Sequence, residues 1–252
     1  MSAAANGEVL LEIRDLAKSF GGVAAVDQVS MDLRAGIVTT LVGPNGAGKT
    51  TLFNLITGHL DRSAGSVRWL GQDIGGVKPF QIARLGIART FQDLRLFTQM
   101  TVEENVLTVT ETGSLPFRLT GPSYKERLAM AHQALERTGL IDKRHVRAMD
   151  LAYAERKFLS LARVMATKSR LWLLDEPASG LDRASYGLFL DLLKSEVQAG
   201  VTVCIIEHNL DIVIGISDRI AFLDRGKLLA DDEPKVVLED PKLAAIYFGD
   251  RT

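Results

Sequence analysis

Apolar and polar positions follow two rhythms along this chain. Residues 10–15 and 26–33 carry short apolar runs, with alternation in the second, and predict two strands. Residues 37–42 form a β-branched apolar run leading into Gly43, which predicts a buried strand. Residues 49–57 then place leucine, phenylalanine and isoleucine at helical spacing, with Gly58 as the stop. Residues 171–174 and 201–206 predict two more buried strands, separated by an apolar helix over 186–198 that ends before Gly200. Residues 220–224 and 227–230 flank Arg225-Gly226 and suit a hairpin.

Strands that alternate with helices predict an α/β fold with a mostly parallel sheet. The middle of the chain breaks the rhythm. Residues 101–166 read mainly as helix, including 125–138 and 155–165, with Gly113, Pro116, Gly121 and Pro122 interrupting the early part. This pattern describes a helical insertion into an α/β core, not a linker.

Composition narrows the partners. A formal net charge of -1 gives no global drive toward nucleic acid or an anionic membrane surface, and no nucleic-acid partner is expected. Cys204 is the only cysteine and lies in an apolar run. It cannot form an internal disulfide, which fits a reducing cytosol, and it reads as a small core residue. No stretch approaches the ~18–20 apolar residues that a spanning helix needs. The first nine residues lack the basic head and apolar block of a signal peptide. A cytoplasmic chain is expected, with any membrane attachment supplied by a partner.

The segment Gly43-Pro44-Asn45-Gly46-Ala47-Gly48-Lys49-Thr50 fits the P-loop pattern without departure, between a predicted strand and a predicted helix. Glycines let the backbone curl so that N–H groups from Asn45, Gly46, Ala47, Gly48 and on to Thr51 face a phosphate. The helix presents its positive end to the same anion. Lys49 supplies a cation for the outer phosphates, and the Thr50 hydroxyl a ligand for Mg²⁺. Alone, this loop does not say which nucleotide hydrolase it serves.

Two further strand ends carry chemistry. Residues 171–174 run into Asp175-Glu176-Pro177, and the next apolar strand runs into Glu207-His208. Parallel neighbours bring such ends to one sheet edge, where ligands bind. Asp175 is then expected at the metal, Glu176 at an attacking water and His208 at the γ-phosphate.

In order, the chain shows GPNGAGKT, Thr90-Phe91-Gln92, Leu151-Ala152-Tyr153-Ala154-Glu155, LLDEP ending at Pro177, SGLD ending at Asp182, and Glu207-His208. This series resembles the ATP-binding subunits of ABC transporters over nearly the whole chain. The resemblance implies a P-loop NTPase core with a mostly parallel sheet, a small antiparallel β subdomain and an inserted helical subdomain. It implies one domain over 8–252, with core and β subdomain at 8–91 and 167–252 and the helical subdomain at 92–166. It implies ATP and Mg²⁺, with Phe20 stacking on adenine, Gln92 at the metal and water, and Asp182 communicating across a dimer. The 151–155 signature would bind the γ-phosphate held by the opposite subunit. The implied partners are a second ATP-binding subunit (the same or a different chain), transmembrane permease subunits on the cytoplasmic face of the membrane and, indirectly, a solute-binding protein.

Residues 86–97 and 100–106, the Leu-Ala-Tyr start of the signature and the ending Ile246-Tyr247-Phe248-Gly249 are similar to the branched-chain amino-acid importer group, which implies an ATP-hydrolysing subunit that powers import of branched-chain amino acids or a related small polar solute. Leu94, Leu96 and Phe97 are candidates for docking on the permease. The signature departs from its family: Ala152 lacks the usual serine hydroxyl, Ala154 stands where glycine is usual, and Glu155 adds negative charge. A hydrogen bond to a charged group contributes about 1.5–3 kcal/mol, so the missing hydroxyl weakens the site that this loop completes. Two other readings stay open: a soluble ABC ATPase outside transport, which usually carries two ABC units or a coiled-coil insertion, and a regulatory nucleotide-binding subunit with weak turnover.

Overall fold

The computed structural model describes residues 7–111 and 121–248. Gly113, Pro116 and Gly249 lie outside the described residues. The first part of the chain runs β1 (Val9–Phe20), β2 (Val23–Arg34), β3 (Val38–Val42), α1 (Lys49–Ile56), β4 (Ala64–Trp69), β5 (Gln72–Asp73), α2 (Pro79–Arg84) and β6 (Ile87–Arg89). It continues with α3 (Val102–Thr110), α4 (Tyr124–Arg137), α5 (Tyr153–Ala166), β7 (Leu171–Asp175), α6 (Arg183–Gln198) and β8 (Thr202–Ile206). It closes with α7 (Leu210–Ile216), β9 (Arg219–Asp224), β10 (Lys227–Asp232), α8 (Pro234–Glu239) and α9 (Pro241–Phe248).

Two sheets form. One has four strands in the order β2-β1-β4-β5, antiparallel throughout. The other has six, in the order β10-β9-β3-β8-β7-β6, parallel except for the β9–β10 hairpin that the sequence predicts at Arg225-Gly226. Every residue of β3, β7 and β8 is buried, as central parallel strands covered on both faces should be. Their side chains still alternate. Trp172 and Leu174 join one core with α3–α6, while Leu171 and Leu173 join another with β1, β2 and α1. Cys204 lies in the second core, 2% exposed, and burial pushes its thiol pKa well up.

The strands β1 and β2 run longer than predicted because Gly21 and Gly22, both at positive φ, turn them back on each other as a hairpin. Gly58 sits at left-handed φ just beyond Thr57, the last half-turn of α1, and stops that helix as expected. Helices start where capping chemistry allows. The Thr101 hydroxyl accepts the Glu104 N–H while the Glu104 carboxylate accepts the Thr101 N–H, and Ser123 and Glu126 repeat the arrangement on α4. Asp182 caps α6 by accepting the Ser185 N–H at 2.8 Å, so that helix begins three residues before the apolar pattern predicts.

The predicted start of α5 at Glu155 is corrected to Tyr153. Ala152 takes extended backbone as the cap, and Glu155 reaches back to accept the Ala152 N–H at 3.0 Å. Half of the capping box therefore forms; the other half has no hydroxyl to accept with. This helix packs against α3 and α4 on one side and shares a core with β7 and β8. Leu159 sits at that junction with no exposed surface. Leu159→Ala is expected to destabilise the fold by about 2–5 kcal/mol, read from a urea unfolding midpoint.

Candidate functional site

The loop between β3 and α1 is shaped by close backbone contacts. Gly43 has φ 142°, and a Cβ there would stand 1.9 Å from the Leu223 carbonyl oxygen of β9. Gly48 has φ 102°, and its Cβ would stand 2.2 Å from the Ala25 oxygen of β2. Gly46, at φ 81°, has nothing within 4 Å and needs glycine for its backbone angle alone. The β9–β10 turn braces the loop from below. The Gly226 N–H donates to the Ala47 carbonyl at 2.9 Å, and the Asp27 N–H donates to the Gly226 carbonyl at 2.8 Å.

Asn45 and Gly46 are exposed at the tip, Thr50 is exposed, Thr51 is half-buried and Ala47 is buried. Lys49 is 6% exposed and donates to the carbonyls of Gly43 at 2.7 Å and Pro44 at 2.9 Å. Burial lowers the pKa of its ammonium, while Glu176 and Asp175 oppose that shift. The cation is thus already folded over the loop with carboxylates facing it.

The β7 end delivers those carboxylates. Asp175 is 3% exposed, lies close to the Thr50 side chain and is paired with Arg89 at 3.4 Å. Burial raises its pKa, and Arg89 pulls the other way. Arg89 also donates to Asn54 at 2.7 Å and Thr57 at 3.0 Å, which ties β6 to α1. Glu176 has φ 47°, a left-handed angle that costs an L-residue roughly 1–2 kcal/mol. Its carboxylate bonds His208 Nε2 at 2.8 Å and accepts from Gln92 Nε2 at 3.3 Å. Three predicted residues from three separate segments therefore meet on one side chain.

Phe20 ends β1 and is 48% exposed, with Lys18 Nζ 5.2 Å from its ring centroid. The register Phe20↔Val23 and Ser19↔Ala24 sets it near Ala25, whose oxygen touches Gly48. Ala154 lies within the first turn of α5 and has no positive φ, so its methyl group requires no backbone strain. The Glu155 charge is turned onto Lys143, which lowers its pKa, with help from the Ala152 N–H. Tyr153 packs its ring over Gly180, where an added Cβ would stand 2.9 Å away. Signature and SGLD loop thus touch within one chain. Asp182, expected at a dimer contact, caps α6.

Sequence reasoning missed Arg89 and Lys157. Arg89 stood in plain view, one residue before Thr90-Phe91-Gln92. Lys157 is 7% exposed on α5 and donates to the Glu176 carbonyl at 2.6 Å. Its only sequence signal is its place two residues beyond the signature.

A family model described as ABC transporter matches residues 26–179. The chain belongs to the ABC transporter family. It is 38% identical over 251 residues to the high-affinity branched-chain amino acid transport ATP-binding protein LivG of Salmonella typhimurium, covering 96% of this chain and 98% of that protein. It is 37% identical over 250 residues to the corresponding protein BraF of Pseudomonas aeruginosa, covering 96% and 98%. A solved ATP-binding cassette of an ABC transporter in its ADP conformation superimposes with a TM-score of 0.85 and 32% identity, over 96% of this chain and 100% of that one. Among the described residues of this ABC transporter family member, no helix is long and apolar enough to cross a membrane.

The two loop glycines should behave unequally. Gly43→Ala forces a backbone shift at Leu223 and should lower the thermal midpoint clearly. Gly46→Ala meets open space and should cost about 1–2 kcal/mol from its backbone angle alone. Equal midpoints for the two variants would contradict the packing described here.

Proposed function

We propose that this chain is the ATP-hydrolysing subunit of a branched-chain amino acid importer. The observation that carries the reading is the convergence of Glu176, His208 and Gln92 beside Asp175 and the phosphate loop. The relatives' transport of branched-chain amino acids supports the solute, which the ATPase itself does not touch.

The chemistry follows from placement. Backbone N–H groups from Asn45 to Thr51 and the positive end of α1 hold the β- and γ-phosphates. Lys49 moves its ammonium from the loop carbonyls to the phosphate oxygens. The donor set of Thr50 hydroxyl, buried Asp175 carboxylate and Gln92 amide is all oxygen, which fits Mg²⁺. Among the described residues no cluster of three or more His, Cys, Asp or Glu could hold a metal by itself, so phosphate oxygens would complete the site. When bound, the cation neutralises charge on the phosphates. Glu176 polarises the attacking water, held in register by its bond to His208. His208 also stabilises charge that develops on the γ-phosphate. Phe20 stacks on adenine.

The 151–155 signature addresses nucleotide on a second subunit, so the working unit is a pair, the same chain twice or two related chains. The helical subdomain, which we place at residues 92–166, docks on the permease at the cytoplasmic face of the membrane. The docking groove is a cavity of about 370 Å³ lined by Phe80, Phe91, Leu94, Arg95 and Arg163. Phe80 is exposed in its lining, and Phe97 is exposed beside it, with the Arg163 guanidinium 5.3 Å from its ring centroid, whereas Leu96 packs inward on the helical core.

Glu176→Gln keeps the shape and removes the negative charge. It should retain ATP binding and lose roughly a hundredfold or more in turnover, with ATP-bound dimers accumulating on size-exclusion chromatography. Lys49→Ala should weaken ATP binding roughly tenfold or more in an equilibrium titration, the size of a lost charged hydrogen bond. A Glu176→Gln chain with full turnover would refute the assignment. For the groove, Leu94→Glu with Phe97→Glu should release the chain from membranes that contain the permease while ATP binding stays intact. Retained association would remove this groove as the docking surface.

A further inference from the structure

Glu176 is aimed by its backbone. Its φ lies in the left-handed region, which nothing in a glutamate side chain favours. Its N–H donates to the Ile206 carbonyl of β8 at 3.0 Å, which pins one side of the residue. Its carbonyl accepts from the Ser179 N–H at 3.3 Å and from Lys157 Nζ at the much shorter 2.6 Å. The Lys157 ammonium comes from a different layer, the helix that carries the signature. It is buried, lies 5.6 Å from the Tyr153 ring centroid, and faces Glu207, Glu176 and Asp175. Glu207 is itself buried and occupied, accepting the N–H groups of Ala178 at 3.0 Å and His208 at 3.3 Å. Burying a lysine is costly unless its charge is used, and nothing in the hydrolysis chemistry derived above uses it.

We infer that Lys157 is a positioning residue for ATP hydrolysis: its ammonium pins the Glu176 carbonyl, holds the left-handed turn, and so keeps the Glu176 carboxylate directed at His208 and Gln92. This rests on the reading of Glu176 as the group that polarises water. With Lys157 removed, only the longer Ser179 bond holds the carbonyl. The turn then relaxes toward an ordinary backbone angle and the carboxylate swings away from its two partners. Nucleotide binding at this chain's own phosphate loop is untouched, because Lys157 touches neither that loop nor Phe20's end of the hairpin. The effect should therefore fall on kcat and spare the affinity for ATP.

The experiment uses the full-length chain purified with its permease. Lys157→Met removes the donor, Lys157→Gln keeps a neutral donor, and Lys157→Arg keeps the charge. ATP affinity, steady-state turnover and thermal midpoint are measured for each. Lys157→Met should lower kcat roughly tenfold or more, the size of one lost charged hydrogen bond, with ATP affinity unchanged. Lys157→Arg should restore most of the rate and Lys157→Gln part of it. In a Glu176→Gln background, Lys157→Met should lower the single-turnover rate no further, since the carboxylate that it positions is gone. If Lys157→Met does not fold, Lys157→Gln against Lys157→Arg carries the same comparison. Wild-type kcat in Lys157→Met, parallel loss of affinity and rate, or fully multiplicative effects with Glu176→Gln would each overturn the inference. A Glu176→Gln chain as active as wild type would bring down the water-polarising role and this inference together; an inactive Glu176→Gln beside a fully active Lys157→Met would bring down this inference alone.

Discussion

The structure depends on one exclusion: at Gly43 and Gly48, neighbouring backbone occupies the space where a Cβ would be. Leu223 of β9 closes in from one side and Ala25 of β2 from the other. Each contact joins the phosphate loop to a different sheet. The loop is therefore a weld between the parallel sheet and the antiparallel one, and its curvature is imposed from outside as much as by its own glycines. The Gly226 bond to Ala47 extends that weld to the hairpin at the sheet edge.

Around this rigid loop the charges are arranged by burial. Lys49, Arg89 and Lys157 approach from three elements, and Asp175, Glu176 and Glu207 leave from two adjacent strand ends. In a low-dielectric setting neither set would be tolerated alone. Burial raises the carboxyl pKa of Asp175 and Glu207 and lowers the ammonium pKa of Lys49 and Lys157, and each set opposes the other's shift. Such mutual holding offsets part of the cost of burying either sign. It also makes the cluster sensitive to any substitution that removes one member.

The central strands and the phosphate loop were legible in the sequence because both have strong local rules. A β-branched run covered on two faces, followed by the glycine pattern, leaves little freedom. The stretch from 58 to 100 was much less legible. There β5 has two residues and β6 three, too short for any period to show, and β4 is half exposed. Helix starts were misplaced where the cap was unusual: Ala152 caps α5 without a hydroxyl, and Asp182 caps α6 outside its apolar pattern. Among the site residues, Glu176, His208 and Gln92 could be grouped from motifs. Lys157 could not, since a lysine on an amphipathic helix ordinarily points to water, and only the tertiary fold turns it inward to a carbonyl.

The burial of Cys204 has a practical side. Its thiol is sealed in the core behind β8 and held protonated, so it offers no thiolate to alkylating or disulfide-forming reagents while the fold is intact. Since the chain has no other cysteine, the native surface is silent to thiol chemistry. A cysteine introduced at an exposed position such as Tyr153 would be its sole reactive handle. Spectroscopic labels and cross-linkers could then report on the signature end of α5 without any cysteine first having to be removed.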